Sequence, residues 1–332
     1  MKFKVLLPVF ALLITGGVAA WYQGWLANLY ASYPDRVPLI TREPWQPIKV
    51  IAHRGDAKAL PENTLISFQA AIDKGMDFLE LDIKLTKDGV PVVLHDASVE
   101  RTTDGVGNVA SLTFKELQQL DAGSWFSPEY AGQQVPSLQQ VIDLAIDRTC
   151  VYIDMKVMPD YRLVRELRRH SENFSHGCFL ISIAEPFNKD GFDLDFAAGG
   201  VEQKKKFEKM VSDTIKRHER QYQIFQRYWP DFPYAGKYKW QSPDVGQLLE
   251  TYPGLVAVEV FYVAVNRELV EKLHQRGLLV YTRVPFPEEN YDPVRQNKIY
   301  KQLMESGLDI IFPDDPNGFR QFQQAYISGV KN

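Results

Sequence analysis

The sequence has no excess of positive charge, because its 38 Lys and Arg residues are outnumbered by 42 Asp and Glu residues, for a formal net charge of −4. A nucleic-acid-binding protein would need a basic face, so we expect no nucleic-acid partner. Internal repeats and low-complexity tracts are also missing from the sequence. With 332 residues, 45% of them hydrophobic, the chain instead predicts one or two globular domains with a large buried core.

Cysteine is scarce, since the chain contains only Cys150 and Cys178. Each of them precedes an apolar run that is typical of a strand. We interpret them as two small buried hydrophobic residues. A disulfide is the alternative if the domain lies outside the cytoplasm, because sequence alone does not place the two sulfur atoms together.

Charge is missing altogether from residues 5–34, which follow Lys2 and Lys4. This stretch is long enough to span a bilayer, and the aromatic residues in its second half are typical of a membrane interface. We therefore predict an uncleaved signal-anchor or transmembrane segment over residues 1–34. A signal peptide cleaved after Ala20 is the alternative, and a buried core helix is a third interpretation.

The two N-terminal lysines also predict an orientation, because positive residues beside a membrane segment remain on the cytoplasmic side. The rest of the chain is then expected on the extracytoplasmic side, either anchored to the membrane or secreted after signal cleavage. Residues 35–47 contain three prolines and predict an extended linker.

Apolar runs rich in Val, Ile, Leu and Phe follow the linker, as is typical of strands buried on both faces. Segments with helical periodicity separate them, which predicts a parallel sheet of βα units. We expect a TIM-type (β/α)8 barrel over residues 48–325, with an open doubly wound sheet as the alternative. Any missing strand must lie within residues 184–250. The strand candidates are 48–53, 78–85, 150–156, 178–183, 255–261, 278–284 and 308–312.

Residues that favour helix N-termini precede several of the helical segments. The expected N-caps are Asn63, Thr113, Ser137 and Asn266. Thr113 and Ser137 are each followed three residues later by Glu or Gln, which is the spacing of a capping box.

One connection breaks the alternation of strands and helices. Asp88-Gly89 lies between two apolar runs and predicts a two-residue hairpin turn. Counting outward from that turn places Asp82 opposite His95. In the alternative, residues 90–95 are themselves a barrel strand, and in both cases His95 lies near the strand ends.

Acidic residues occur inside the predicted barrel strands. Glu80 and Asp82 are two residues apart, so their side chains point to the same face, and Asp154 supplies a third carboxylate from another strand. Buried carboxylates repel one another unless a positive charge neutralises them, and oxygen ligands of this kind suit Mg2+ or Ca2+. The alternative is an internal ion-pair network in which Arg54 and Lys156 neutralise the acids.

Two histidines end apolar runs near these acids. His53 and His95 are candidates for an acid/base pair, because imidazole titrates near neutral pH. Arg54, directly after His53, has a planar donor group suited to phosphate. The set contains no evident nucleophilic Ser or Cys, so it favours metal-assisted attack on a phosphate ester over acyl transfer.

Several blocks in this order resemble the glycerophosphodiester phosphodiesterase family. The ordered matches extend from about residue 50 to residue 156 and then thinly to residue 316. The resemblance implies a TIM barrel that hydrolyses glycerophosphodiesters to glycerol 3-phosphate and an alcohol with a divalent metal. The matching blocks are HRG (53–55), PENT (61–64), ELDIKLTKDGVPVVLHD (80–96), RTTDGVG (101–107) and GLDIIFPDDP (307–316).

The resemblance also implies roles for single residues. His53 and His95 match the family's general acid/base pair. Glu80 and Asp82 match its metal ligands, and Asp154 stands where the family usually has Glu. Asp is one methylene shorter than Glu, which leaves the choice between Mg2+ and Ca2+ open.

The remaining matches concern the substrate. Arg54 and Lys156 match the family's phosphate-binding residues, and Glu62 matches a supporting residue of the site. Residues 97–136 resemble a small insertion that borders the substrate mouth. The later half of the chain departs from the family, since its Trp-Thr-Val-Asn reads Tyr281-Thr282-Arg283-Val284 here.

Two other functions remain open from the sequence. Apolar insertion residues such as Trp125 and Phe126, with the predicted anchor, favour a lysophospholipase D-type activity on membrane lysophospholipids. A barrel that binds a phosphoester without cleaving it is the other alternative, and the intact His53, His95, Glu80 and Asp82 argue against it.

Overall fold

The computed structural model describes residues 46–175, 178–183, 220–230, 232–237, 255–260, 262–284 and 292–331. The predicted anchor over residues 1–34 and nearly all of the predicted linker lie outside these residues. Within the ranges that are described, none of the helices combines the length and hydrophobicity of a membrane span.

Eight parallel strands pair side by side in a ring. The first strand, β1, pairs with β2 on one side and with β9 on the other, which closes the sheet. The expected TIM-type barrel is therefore confirmed and the open doubly wound sheet is wrong. The eighth parallel strand, β6, falls within residues 184–250 as expected. The strands are β1 (Lys49–His53), β2 (Phe78–Leu85), β3 (Pro91–Val93), β4 (Cys150–Met155), β5 (Phe179–Ile183), β6 (Tyr234–Lys237), β7 (Leu255–Glu259), β8 (Leu279–Val284) and β9 (Ile310–Pro313).

Helices follow most of the barrel strands, and their N-caps agree with the sequence at three of four positions. Thr113 and Ser137 form capping boxes, and Asn266 accepts a hydrogen bond from the backbone N–H of Leu269. Residues 220–228 are also helical. The helices that are described from end to end are α1 (Leu65–Asp73), α2 (Phe114–Leu117), α3 (Leu138–Ala145), α4 (Tyr161–Ser171), α5 (Arg267–His274), α6 (Pro293–Ser306) and α7 (Pro316–Lys331).

The predicted Asn63 cap is wrong. Thr64 caps α1, its Oγ1 accepting from the backbone N–H of Ser67 at 3.4 Å. Asn63 has a left-handed backbone with φ +56°, and its side chain donates to Asp82 instead. The cap moved by one residue because a tertiary contact uses the Asn63 amide.

Each barrel strand presents alternate side chains to the helices and to the barrel interior. Leu81, Ile153 and Val280 face the helices and are fully buried in one apolar cluster. Tyr152 of β4 and Tyr281 of β8 face the interior, where their hydroxyl oxygens are 3.0 Å apart. Residues two positions further along these strands therefore also point inward, at the C-terminal rim where barrel active sites form.

The hairpin after β2 has a different register from the predicted one. Ile83 pairs with Val93, so Asp82 lies opposite Leu94, whose N–H donates to the Asp82 carbonyl at 2.9 Å. The expected pairing of Asp82 with His95 is therefore wrong. The β3 strand is antiparallel to β2, which also excludes residues 90–95 as a barrel strand.

A three-residue turn causes this one-residue shift. The Thr86 hydroxyl accepts from the Val90 N–H at 2.9 Å and donates to Asp88 at 2.6 Å. Gly89 supplies the positive φ of +80°, which other residues rarely adopt. These contacts add Lys87 to the turn, so every pair beyond it moves by one position.

Residues 94–137 form a compact excursion between β3 and α3. A second apolar cluster, separate from the main core, holds the excursion together. Its edge is joined to β3, since the Val93 N–H donates to the Pro136 carbonyl at 2.9 Å. The buried members of this cluster are Val92, Leu94, Val99, Val109, Leu117, Ala122 and Val135.

Cys150 and Cys178 are joined in a disulfide, with their Cα atoms 4.5 Å apart. The interpretation of the two as separate buried hydrophobic residues is therefore wrong. Cys150 begins β4 and Cys178 lies just before β5, and these adjacent parallel strands bring the two residues to the same level. The disulfide lies at the N-terminal ends of the strands, away from the C-terminal rim.

Candidate active site

The strand register brings most of the predicted site residues to one part of the rim. His53, at the end of β1, pairs with Glu80 of β2. Asp82 of β2 in turn pairs with Asp154 of β4. Three neighbouring strands therefore supply one histidine and three carboxylates to the same part of the barrel interior.

The three carboxylates form an acidic cluster, defined as Glu80, Asp82 and Asp154. One oxygen of each lies within 4.8 Å of the others, and Glu80 and Asp82 are each 1% exposed. Burial, together with the charges of Asp82 and Asp154, raises the pKa of Glu80 well above its usual value. The cluster therefore carries more negative charge than its surroundings stabilise.

Two cations approach the acidic cluster, as the ion-pair alternative predicted. Arg54 Nε lies 3.1 Å from Asp82 Oδ2. Lys156 Nζ lies 2.8 Å from Asp154 Oδ2 and 3.3 Å from Asp82 Oδ1. Burial disfavours the charge of Lys156, but Asp154 and Asp82 outweigh it and raise its pKa.

These ion pairs leave Glu80 uncompensated. Glu80 accepts from the backbone N–H of Arg54 at 2.9 Å and lies 3.9 Å from His53 Nε2, but no Lys or Arg in the described part of the chain pairs with it. The buried Asp82 Oδ1 also lacks a hydrogen bond there. A divalent cation with three carboxylate ligands fits this donor set, and it would supply the charge that the ion pairs do not.

The backbone after His53 turns sharply toward α1. Arg54 has a left-handed φ of +54°, and Gly55 follows at +84°. A Cβ atom on Gly55 would lie 2.7 Å from the backbone carbon of Ser67, so only glycine fits there. The Arg54 carbonyl accepts from the Asn63 N–H at 3.0 Å, which holds the turn against the start of α1.

Asn63 is a site residue that the sequence suggested only as a cap. Its Nδ2 donates to Asp82 Oδ2 at 2.9 Å, and its buried Oδ1 has no hydrogen-bond partner among the described residues. Asn tolerates the left-handed backbone better than most residues. The PENT block contained the residue, but the contact that defines its role is tertiary.

His53 is held in its neutral form. Burial, followed by the charges of Arg54, Arg283 and Lys156, lowers the pKa of His53 to about 3. Its ring contacts Phe312 edge to face with the ring centroids 5.1 Å apart, while 31% of its side chain stays exposed. His53 is therefore a neutral and partly exposed imidazole at pH 7.

His95 is oriented by a chain of charged groups across the rim. His95 Nδ1 lies 2.6 Å from Asp96 Oδ1. Arg101 donates to Asp96 and, through both terminal nitrogens, to Glu62 at 2.8 and 2.9 Å. The Arg101 hydrogen bond is the main reason that the pKa of Asp96 falls to about 2. Glu62 also accepts from Arg54 at 2.9 Å, which connects the two histidine segments.

Arg101 was not predicted as a site residue. It belongs to the RTTDGVG block, but that block gave no reason to assign a role to its first residue. Arg101 contacts Glu62 across 39 positions of sequence, so its role became visible only in the folded chain.

A second missed residue, Arg283, lies on β8. The sequence marked this position only as a departure from the family pattern. Its guanidinium carbon lies 4.0 Å from the Phe312 ring centroid, and Phe312 is the residue that contacts His53. Arg283 therefore places an additional positive charge in the barrel interior.

Comparison with known proteins matches this part of the chain to one family. Residues 53–183 match the model of the glycerophosphoryl diester phosphodiesterase family. A glycerophosphodiester phosphodiesterase of Caldanaerobacter subterraneus is 50% identical over 99 residues, which are 30% of this chain and 41% of that protein. One of Bacillus subtilis is 27% identical over 292 residues, which are 84% of this chain and 87% of that protein.

A solved structure extends the similarity to the whole barrel. The structure of an Oleispira antarctica phosphodiesterase in complex with the product sn-glycerol-3-phosphate superposes with a TM-score of 0.58. The match has 22% sequence identity and covers 85% of this chain and all of that chain. At this level of identity the similarity supports the fold.

Proposed function

This chain belongs to the glycerophosphodiester phosphodiesterase family, and we propose that it hydrolyses glycerophosphodiesters to glycerol 3-phosphate and an alcohol. One observation carries the proposal. The barrel rim holds an acidic cluster of three carboxylates within 4.8 Å, directly beside the neutral His53. Phosphodiester hydrolysis needs a group that stabilises the developing negative charge and a group that accepts a proton. A metal ion at the acidic cluster, with His53 beside it, would supply both.

The acidic cluster is the proposed site of Mg2+ or Ca2+. When bound there, the ion supplies Lewis-acid stabilisation of the negative charge that develops on the phosphoryl oxygens. Asp154 is one of the proposed metal ligands although it is shorter than the family's usual Glu, because one of its oxygens lies within 4.8 Å of those of Glu80 and Asp82.

The two histidines divide the proton transfers between them. His53, which is unprotonated at pH 7 and lies 3.9 Å from Glu80 of the acidic cluster, accepts the proton of the attacking group, which is water or the neighbouring glycerol hydroxyl. His95 faces the ionised Asp96 through Nδ1 at 2.6 Å, and that carboxylate stabilises an imidazolium. His95 therefore donates a proton to the alcohol oxygen as its bond to phosphorus breaks.

The cations bind the phosphoryl group in this proposal. Arg54 presents a planar donor group, held by Glu62 at 2.9 Å. Lys156, charged because its pKa is raised by Asp154 and Asp82, contributes a second positive charge. Both reach the acidic cluster, so the substrate phosphate would lie between carboxylates and cations.

We expect purified protein with Mg2+ or Ca2+ to release glycerol 3-phosphate from glycerophosphocholine faster than it cleaves lysophosphatidylcholine. The two share the phosphodiester, but the rim beside the acidic cluster carries the charged side chains of Glu62, Asp96 and Arg101, which suit a water-soluble diester better than an acyl chain. Lysophosphatidylcholine belongs in the assay because Trp125 in the excursion is 39% exposed and could contact an acyl chain. Faster turnover of the lysophospholipid would favour the lysophospholipase D alternative, and no turnover of either substrate would contradict the proposal.

We also propose that the domain is extracytoplasmic and attached through residues 1–34. The uncharged N-terminal stretch and the disulfide support this, because disulfides persist in oxidising compartments. In protein alkylated directly in cells under denaturing conditions, Cys150 and Cys178 should remain unmodified until a reductant is added. Free thiols in most molecules would contradict an extracytoplasmic domain.

A further inference from the structure

Arg283 points into the barrel from the wall opposite the acidic cluster. It lies two residues after Tyr281 on β8, and Asp154 lies two residues after Tyr152 on β4. The tyrosine hydroxyl oxygens meet at 3.0 Å, and four pairings separate β4 from β8 in the ring of strands. Because alternate residues share a face, Arg283 and Asp154 both point inward, one layer above the tyrosine pair and across from each other.

The described contacts of Arg283 leave the N–H donors of its guanidinium available for hydrogen bonds to a ligand. Its guanidinium carbon lies 4.0 Å from the Phe312 ring centroid, and a guanidinium that stacks on a ring keeps its N–H groups at its edge. Among the described residues, no carboxylate oxygen lies within 4.0 Å of an Arg283 side-chain nitrogen, which is the distance limit for an ion pair. Arg54 and Lys156, in contrast, are each paired with Asp82.

The surroundings keep Arg283 charged. Burial works against its charge, but Glu259 and then Glu80 outweigh that effect and raise the pKa of Arg283. Glu259 lies at the end of β7 and forms no ion pair with Arg283 at the 4.0 Å limit. Arg283 is therefore a cation that Glu259 and Glu80 stabilise at longer range, and it forms no ion pair with a carboxylate of the described residues.

We propose that Arg283 is an anion-binding residue that holds the substrate's phosphoryl group from the wall opposite the acidic cluster. The proposal rests on the proposed function, since it assigns a further binding residue to the same reaction. A phosphate beside three carboxylates needs cations on its other side. Phe312, which contacts both His53 and the Arg283 guanidinium, places that cation next to the proton acceptor.

The reaction itself would use this cation. The phosphoryl group gains negative charge as the diester is cleaved, and the product glycerol 3-phosphate carries more charge than the substrate. Charge-assisted hydrogen bonds from a guanidinium to phosphate are stronger than neutral ones and are often bidentate. Loss of Arg283 should therefore weaken the binding of glycerol 3-phosphate and lower kcat. The contacts to the uncharged glycerol part of the substrate should change less.

The test measures glycerol 3-phosphate binding by calorimetry with full-length, metal-loaded protein. Arg283→Gln is expected to weaken binding by about 10-fold or more, the range expected for hydrogen bonds to charged groups. Arg283→Met keeps an apolar stem against Phe312, and it is the second variant should Arg283→Gln fold poorly. Arg276→Gln is the matched control, since Arg276 is exposed beyond the end of α5 and should change binding less than about two-fold.

Steady-state kinetics with glycerophosphocholine distinguish a role of Arg283 in substrate binding from a role in the stability of the fold. We expect kcat to fall in both Arg283 variants, with unchanged far-UV circular dichroism. If the variants bind glycerol 3-phosphate like the wild type and only their melting temperature falls, Arg283 is a structural partner of Glu259 and the inference is overturned. Arg283-dependent binding without hydrolysis by the wild type would keep the inference and contradict the proposed function.

Discussion

Replacing His95 by alanine is expected to lower kcat for glycerophosphocholine by about 10²- to 10⁴-fold, the usual contribution of a positioned proton donor. His95 is oriented by Asp96 at 2.6 Å, and no described histidine other than His53 lies on the rim to replace it. His53→Ala should cause a loss of similar size by removing the proton acceptor. KM should change much less than kcat in both variants, because neither imidazole is needed to bind the substrate.

His170→Gln is the control for these variants. His170 lies on α4 beside Glu166, outside the site, so its replacement should leave kcat within about two-fold. Circular dichroism spectra should match the wild type for all three variants. If either His53→Ala or His95→Ala retained near wild-type turnover, the assignment of the acid/base pair would be wrong.

Replacing Glu80 by glutamine is expected to have opposite effects on stability and activity. Glu80 is buried with its pKa raised by desolvation and by two neighbouring carboxylates. Its charge therefore destabilises the metal-free fold at neutral pH, and the isosteric amide should raise the metal-free melting temperature. The same change removes a metal ligand, so turnover should fall by about 10²-fold or more.

Metal binding itself provides the second readout for Glu80. Saturating Mg2+ or Ca2+ should raise the melting temperature of the wild type, since a ligand at 100 times its Kd adds about 2.7 kcal/mol to the unfolding free energy. The rise should disappear in Glu80→Gln and persist in Glu271→Gln, whose side chain is 56% exposed on α5. An equal rise in both variants, or activity that survives chelation, would contradict the metal site.

The barrel and the positions of its polar rim residues could be predicted because both depend on local patterns. Strand candidates such as 78–85 and 150–156 agree closely with β2 and β4. Carboxylates two residues apart share a face in any strand, so Glu80 and Asp82 were expected together. This prediction depended only on the alternation of side chains along a strand and not on the residues that surround Glu80 and Asp82 in the fold.

Tertiary contacts explain what the sequence did not predict. The hairpin register depended on the Thr86 hydroxyl, which holds a three-residue turn that the Asp-Gly pair alone does not reveal. The helix cap moved from Asn63 to Thr64 because Asp82 uses the Asn63 amide. Arg101 gained its role from Glu62, which lies on another segment.

The disulfide and Arg283 show the same limit in different ways. Cys150 begins β4 and Cys178 directly precedes the neighbouring strand β5, and the sequence predicted these two strands separately but could not align them. Arg283 was visible as a departure from the family pattern, yet its direction depends on the inward orientation of Tyr281. In both cases the strand register supplied the missing information.

In the proposed function, the rim formed by His53, His95 and the acidic cluster hydrolyses a glycerophosphodiester. The most direct measurement follows glycerophosphocholine by phosphorus NMR with metal-loaded wild-type protein. We expect the diester signal to be replaced by that of glycerol 3-phosphate, and a chelator to stop the conversion. A diester signal that persists with Mg2+ and with Ca2+, or that gives way to phosphocholine, would contradict it.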